Sequence, residues 1–277
     1  SVFRYETKMT KAMLRVREIT SFKEAHTAHE SFEDSERQIL EAVDIYRKFF
    51  DELGIPYLIS RRPQWDKFAG AIYTIAFDTL FPDGRAVQIG TVHNLGQAFS
   101  SVFEVRIQKR DGSLDYVWQT SYGVSERVIA SLIAIHGDNR GLVLPPNVAP
   151  IQVVIIPIPS EQTLIGDIIR YCKEIEEELK KEGFRVKLDD REELRPVDKY
   201  FYWELRGVPL RIEVGPKELR EGVVTVFRRD LMKRTTVPRQ GIANTIREYL
   251  HDIHRNLREK SWKNFNSKLK VVESVEE

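Results

Sequence analysis

The 277 residues carry 42% hydrophobic and 31% charged side chains, enough apolar material to bury a core in one large or two ordinary domains, which excludes a disordered chain. A single cysteine, Cys172, excludes a disulfide framework and a cysteine-based zinc site and fits a reducing, cytoplasmic compartment, and no apolar run approaches the ~18 residues of a membrane span. The net charge of +1 is no nucleic-acid signature, yet 19 Lys and Arg stand against 11 Asp and Glu between Arg191 and Lys270, a basic half suited to phosphate backbone or simply to water.

The first thirty residues predict a strand (Phe3–Glu6), an exposed link (Thr7–Lys11) and a returning strand (Leu14–Glu18), with opposite charges along both. No secretory signal is visible; the chain starts at Ser1, apparently inside that strand, which leaves a leader upstream open. Ser35-x-x-Gln38 reads as a capping box starting a helix whose face is Ile39, Leu40, Val43, Tyr46, Phe50 and Leu53, with Gly54 closing it. A short strand (Ile55–Ser60), a loop with Trp65 and Phe68, and two hairpins follow: Ala71–Phe81 with Arg85–His93, then Val102–Gln108 with Leu114–Thr120. Together they predict an antiparallel sheet. Val124–His136 is apolar nearly all round, the pattern of a buried helix, and Gly137 and Pro145-Pro146 end it.

From Ile151 strands and helices alternate: strand Ile151–Ile156, helix Thr163–Lys181, strand Phe184–Leu188, helix Val197–Leu205, strands Leu210–Val214 and Val223–Arg228, and a helix from Gln240 to Phe265. That favours a mixed sheet with helices on its faces. The whole is an α/β chain of two domains, 1–148 and 149–270, with 271–277 beginning a further extension.

Three groups of residues invite chemistry. Arg127 stands in the first turn of the buried helix beside Glu126, and an unpaired interior guanidinium costs several kcal/mol. It needs either an internal carboxylate such as Glu126 or an anionic ligand, which a helix N-terminus also favours. Arg4 and Arg17 lie on apolar-flanked strands and suit phosphoryl chemistry, where positioning and electrostatics carry the catalysis. In Gln88-Ile89-Gly90-Thr91-Val92-His93, alternation puts Thr91 and His93 on one strand face and Gln88 on the other; one shared site requires a bulge at Gly90. Read alone, His93 is a satisfied, partly buried histidine, and Phe22 and Phe68 are core residues. His26 and His29, spaced by three, lack a third close ligand, so no metal site is assigned. No Ser/His/Asp or Cys/His pattern and no GxxxxGK loop is present.

The order of these residues resembles a known family. Arg-x-Glu, a basic loop, then Leu14-Arg15-Val16-Arg17-Glu18 and His26-Thr27-Ala28-His29 resemble motif 2 of the class II aminoacyl-tRNA synthetases, in the prolyl branch of archaeal and eukaryotic kind. Gly123-Val124-Ser125-Glu126-Arg127 before an apolar helix is similar to motif 3. Gln88–Gln97, Lys67-Phe68-Ala69-Gly70 and Phe201–Pro216 are similar to the branch's nucleotide, amino-acid and anticodon segments. The match runs through nearly the whole chain in order, with no editing insertion between motifs 2 and 3. Motif 1 and a substrate-contacting Thr-x-Glu loop would lie upstream of Ser1, so the chain resembles the middle of a longer enzyme, and the resemblance implies a fragment that lacks parts needed for activity.

The resemblance implies activation of proline by ATP and Mg²⁺ to prolyl-adenylate, then transfer to proline tRNA, by an enzyme that is a homodimer at full length. It implies that Arg4 and Arg127 clamp phosphates, Glu6 meets the adenine amine, Arg15 or Arg17 stacks on the base or steadies phosphate, and Gln88 and Thr91 hold the nucleotide. Phe22 (tryptophan in many members), Glu24, His26, Phe68, His93 and Ser121 would form the proline pocket; Glu204, Arg206 and Arg228 would read the anticodon by stacking and edge hydrogen bonds. Two alternatives stay open: a non-catalytic synthetase-like protein binding tRNA or a partner, and a sister synthetase such as the threonyl one.

Overall fold

Five strands with apolar faces pair side by side, each antiparallel to its neighbour. In chain order the first unit runs β1 (Val2–Phe3), β2 (Glu18–Ile19), β3 (Phe22–His29), α1 (Phe32–Glu52), β4 (Leu58–Arg61), β5 (Tyr73–Leu80), β6 (Ala86–Gly96), α2 (Ala98–Val102), β7 (Arg106–Gln108), β8 (Leu114–Tyr116), β9 (Trp118–Ser125) and α3 (Arg127–His136). These come from a computed structural model that describes residues 2–158 and 165–272. The main sheet has the order β3-β9-β6-β5-β4. Helix α1 covers one face, burying Ile39, Ala42, Tyr46 and Phe50; the Tyr46 and Phe50 rings meet Phe77 of β5 at 5.9 and 5.3 Å. The other face carries the cavity described below.

Several boundaries differ from the sequence reading, for physical reasons. The opening hairpin pairs only at its base, Val2 with Ile19 and Phe3 with Glu18, extended by Arg4 N–H to Arg17 O at 2.8 Å. The strand pairing goes no further, and Tyr5 is 99% exposed, so residues 4–17 form a loop instead of two full strands. Helix α1 starts a turn earlier than Ser35, because the Ser31 hydroxyl accepts the Asp34 N–H while Ser35, fully buried, donates to Phe32 O. The stretch 118–125 is a strand paired on both sides, by β3 and β6; its hydroxyl-rich Trp118-Gln119-Thr120-Ser121 hides the alternation, and the helix begins at Arg127 rather than Val124.

The second unit contains β10 (Val153–Pro157), α4 (Ile165–Lys181), β11 (Val186–Leu188), α5 (Pro196–Leu205), β12 (Leu210–Val214), α6 (Pro216–Glu221), β13 (Val223–Arg228), β14 (Lys233–Pro238) and most of α7 (Ile242–Asn266). Its sheet, β11-β10-β12-β13-β14, is parallel through β11, β10 and β12 and antiparallel beyond. The predicted helix start at Thr163 lies outside the described residues. One face of the sheet packs α4 and α7 through Ile168, Cys172, Ile175, Ile246 and Ile253. The other packs α5 through Trp203 against Val154 and Ile156. Strands β12 and β13 have the predicted bounds; α6 and β14, short and polar, gave no sequence signal. Burial pushes the Cys172 thiol up to about 12, so it is a core residue and no nucleophile.

Contacts divide the chain at Ile135/His136, upstream of Pro145–Pro150, and assign the stretch from Trp262 to the first unit. Residues following His136 are tied to the second unit: Leu142 N–H donates to Leu205 O, and Arg185 donates to the Pro146, Asn147 and Ala149 carbonyls.

Candidate active site

The open face of the first sheet and the loop 4–17 enclose a cavity of about 540 Å³. Its strand floor comes from one register detail. Ala76 faces Thr91 and Thr74 faces His93, but Phe77 faces Gly90 while Asp78 faces Gln88, so Ile89 is the extra residue of a β-bulge. The bulge returns Gln88 to the face of Thr91 and His93, as the sequence required, and all three line the cavity. Gly90 turns its missing side chain toward α1: a Cβ there would lie 3.2 Å from the Phe50 ring and 3.3 Å from Val124.

Arg127 lines the cavity, half-buried at the start of α3. It has no carboxylate partner among the described residues. Its Nη1 donates to Gln88 O at 3.2 Å and its Nη2 to Leu14 O at 3.0 Å. Glu126, the partner one reading offered, is turned away, and its Oε2 accepts the Thr20 N–H at 3.1 Å and the Thr20 hydroxyl at 2.9 Å. Burial, then the nearby Arg4 and Arg15, lower the Arg127 pKa below its ordinary value. Arg4 and Arg15 also line the cavity, with Glu6, whose carboxylate lies 3.8 Å from Arg15 Nε. Three guanidiniums around one pocket make a local positive field that a polyanion relieves.

The far end is apolar and small. The Phe68 and His93 rings meet at 4.9 Å between centroids, tilted by 39°, and Phe22 and Glu24 line the same cavity. Thr74, a residue the sequence did not single out, orders this end. Its hydroxyl accepts the Phe68 N–H at 2.9 Å and lies 2.9 Å from His93 Nδ1. The hydroxyl has one proton and two lone pairs, so beside the Phe68 N–H it can either donate to Nδ1 or accept from it, and it holds the ring in either tautomer. Burial lowers the His93 pKa, with Glu24 opposing.

Three other expected residues do not line the cavity. Arg17 is exposed. His26 and Ser121 share the sheet face of His93 by register, but His26 sits at the surface 3.3 Å from Glu24 and Ser121 is buried in the sheet. His29 bonds Asp34 and Thr27. The cavity also takes in Arg62, Asp66 and Lys67; cross-strand register, which would have exposed Thr74 as His93's partner, was the missing signal.

In the second unit the three anticodon candidates have different surroundings. Glu204 is buried, between Arg211 at 3.0 Å and Arg140 at 3.2 Å. Arg228 is held by Asp230 and Asp252, each at 2.8 Å. Arg206 is exposed, its guanidinium 3.5 Å from the Tyr202 ring centroid.

Residues 1–136 match the tRNA synthetase class II core domain (G, H, P, S and T), and residues 152–249 match the anticodon binding domain. Fold and site thus define a class II aminoacyl-tRNA synthetase core followed by an anticodon-binding domain. The chain is 57% identical, over its whole length and 57% of the relative's, to the proline–tRNA ligase of Aeropyrum pernix. It is 58% identical, over its whole length and 58% of the relative's, to that of Ignicoccus hospitalis. It aligns with the crystal structure of prolyl-tRNA synthetase from Cryptosporidium parvum complexed with L-proline and AMP at a TM-score of 0.91 and 36% identity, covering 96% of this chain and 57% of that one. The chain belongs to the prolyl-tRNA synthetase family, and it spans somewhat more than half the length of these relatives.

Proposed function

We propose that this chain carries the nucleotide site, the amino-acid pocket and the anticodon-binding domain of a proline–tRNA ligase. The observation that carries the reading is Arg127: a half-buried guanidinium held by two backbone carbonyls, beside Arg4 and Arg15, with no carboxylate partner among the described residues. Such a group awaits an anion, and ATP supplies one.

In this reading the nucleotide lies over Gln88 and Thr91 with its phosphates toward Arg4 and Arg127, Glu6 and Arg15 or Arg17 flank the base, and proline lies between Phe68, His93 and Phe22. Glu24 faces the imino nitrogen, with His26 and Ser121 supporting the pocket from beside it on the sheet face of His93. The proline carboxylate oxygen attacks the α-phosphorus, the bond to the bridging oxygen breaks, and pyrophosphate leaves; the terminal ribose hydroxyl of proline tRNA then takes the prolyl group and AMP leaves. No protein nucleophile is needed. Among the described residues no three potential metal ligands cluster, so Mg²⁺ would be held chiefly by phosphate oxygens and water. The anticodon would be read on the second unit by Glu204, Arg206 and Arg228, with Arg206 on Tyr202 suited to stacking on a base. The functional limits are 1–148 for the catalytic part and 149–270 for the anticodon-binding part, in a cytoplasmic enzyme that is a homodimer at full length. Among the described residues no helix is long and apolar enough to cross a membrane.

The test is proline-dependent exchange of pyrophosphate into ATP by the full-length protein. Exchange driven by proline and not threonine supports the reading. Retained tRNA binding without exchange would favour a non-catalytic binding role.

A further inference from the structure

Arg62 lies just beyond β4 in the cavity wall, and its surroundings are the opposite of Arg127's. Its Nη2 is 2.7 Å from Asp78 Oδ1 and 3.2 Å from Gln88 Oε1, and its Nε is 3.6 Å from Asp66 Oδ2. Two carboxylates neutralise it, so it is not a further cation for phosphate. What it does is grip Gln88. A guanidinium has only donors, so the amide atom turned toward it must be the oxygen. Gln88 is held at its other end too, since its backbone carbonyl accepts Arg127 Nη1. The amide NH₂ is the end left over, and among the described residues it has no hydrogen-bond partner.

We propose that Arg62 is a positioning residue that fixes Gln88 as a hydrogen-bond donor to an oxygen of the bound nucleotide. This rests on the nucleotide reading of the cavity. An untethered primary amide presents either end at nearly equal energy, and its carbonyl end would repel phosphate oxygens, which only accept. Tethering Oε1 removes that half of the orientations before the nucleotide arrives, and the bulge at Ile89 makes the tether possible by setting Gln88 opposite Asp78. Asp78 in turn holds Arg62 in place, with Ser60 Oγ 3.4 Å from its second oxygen. Arg62, Asp78 and Gln88 also line a second cavity of about 370 Å³, with Leu58, Leu80 and Phe265. Arg62 and Gln88 thus line both cavities, with open space on two sides, and hydrogen bonds rather than packing must hold Gln88.

The test uses the full-length protein and separates the hydrogen bonds from side-chain bulk. Arg62→Met keeps most of the volume and removes the donors; Arg62→Lys restores a donor; Gln88→Glu keeps an acceptor for Arg62 and removes the NH₂. ATP affinity by calorimetry should fall about tenfold in Arg62→Met and in Gln88→Glu, recover most of that in Arg62→Lys, and be matched in exchange assays by a raised KM for ATP with the KM for proline within twofold. Unchanged ATP affinity in Arg62→Met, equal rises in both KM values, or no recovery with lysine would overturn the proposal. Wild-type protein that binds ATP but shows no proline-dependent exchange would overturn the functional reading, while the calorimetric comparison would still decide the role of Arg62.

Discussion

At the scale of single residues, Arg127 and His93 mark the two ends of the cavity by opposite means. Arg127 keeps a charge that burial and two neighbouring arginines make costly, so its removal should abolish an interaction that phosphate makes worthwhile. Arg127→Ala in the full-length protein is expected to lower proline-dependent exchange by about 10²–10³-fold, with lysine only partly restoring it because the fork to Gln88 O and Leu14 O is lost; exchange within a few-fold of wild type would refute the assignment. His93 avoids charge instead. Its folded pKa lies below its ordinary 6.5 because burial penalises the imidazolium. Below pH 6.5 the unfolded chain therefore takes up a proton that the folded chain resists, and stability falls as pH falls from there. Thermal melts of the unliganded protein across this range should be flatter for His93→Gln than for wild type. Thr74→Val should leave His93 Nδ1 without its hydroxyl partner and the Phe68 N–H without its acceptor, a loss of about 1–3 kcal/mol in stability, read by urea denaturation.

At the scale of elements, the site depends on one extra residue in β6. Alternation along 88–93 showed that Gln88 could join Thr91 and His93 only through a bulge near Gly90, and the register of β5 against β6 has it there. Gly90 is needed for space. Its φ is not in the left-handed region, but a methyl would meet the Phe50 ring at 3.2 Å and Val124 at 3.3 Å, with Tyr46 at 3.5 Å. Gly90→Ala should cost about 1–3 kcal/mol by overpacking and raise the KM for ATP as the strand shifts Gln88. A stable variant with unchanged ATP dependence would show that the bulge tolerates a wider strand–helix gap. Helix α3 was legible as buried from its apolar residues, but its start was not: β9 extends to Ser125, so Arg127 is the first helical residue and projects at the strand end.

At the scale of the whole chain, two units each carry their own sheet and core, and many arginines of the basic C-terminal half are paired with carboxylates of the second. Arg211 pairs with Glu204 and Glu213, Arg239 with Glu178, Arg247 with Glu182, and Arg255 with Asp252. Arg229, 1% exposed, holds Asp138 through two bonds of 2.6 and 2.7 Å. That pair fastens the segment after α3 to the second unit and pulls the Asp138 carboxyl down to about 2. Asp138→Asn should destabilise the protein by about 2–3 kcal/mol, the lower side of the range for breaking a buried pair because Asp138 is itself half in solvent, and should leave the KM for ATP unchanged. The wild-type pair contributes fully above the ordinary carboxylate pKa of 3.8 and is lost as pH falls toward 2, so the difference between the two proteins should shrink over that window in acid denaturation.

The sequence by itself determined the two-part α/β organisation, because hydrophobic periodicity and glycine or proline punctuation are local, and strands such as Leu210–Val214 and Val223–Arg228 bury side chains in a pattern readable without partners. It also singled out Arg127, Gln88, Thr91 and His93, since the order of motifs is a property of the chain. Only the tertiary structure decided who touches whom. It turned Glu126 to Thr20, put Thr74 under His93, drew Arg62 onto Gln88, left Arg17, His26 and Ser121 off the cavity, and enclosed Glu204 in a buried ion-pair cluster. Thr74, His26 and Ser121 depend on cross-strand register, where a shift of one residue moves a side chain to the other face of the sheet, and the rest depend on contacts between segments far apart in the chain, which no local pattern encodes.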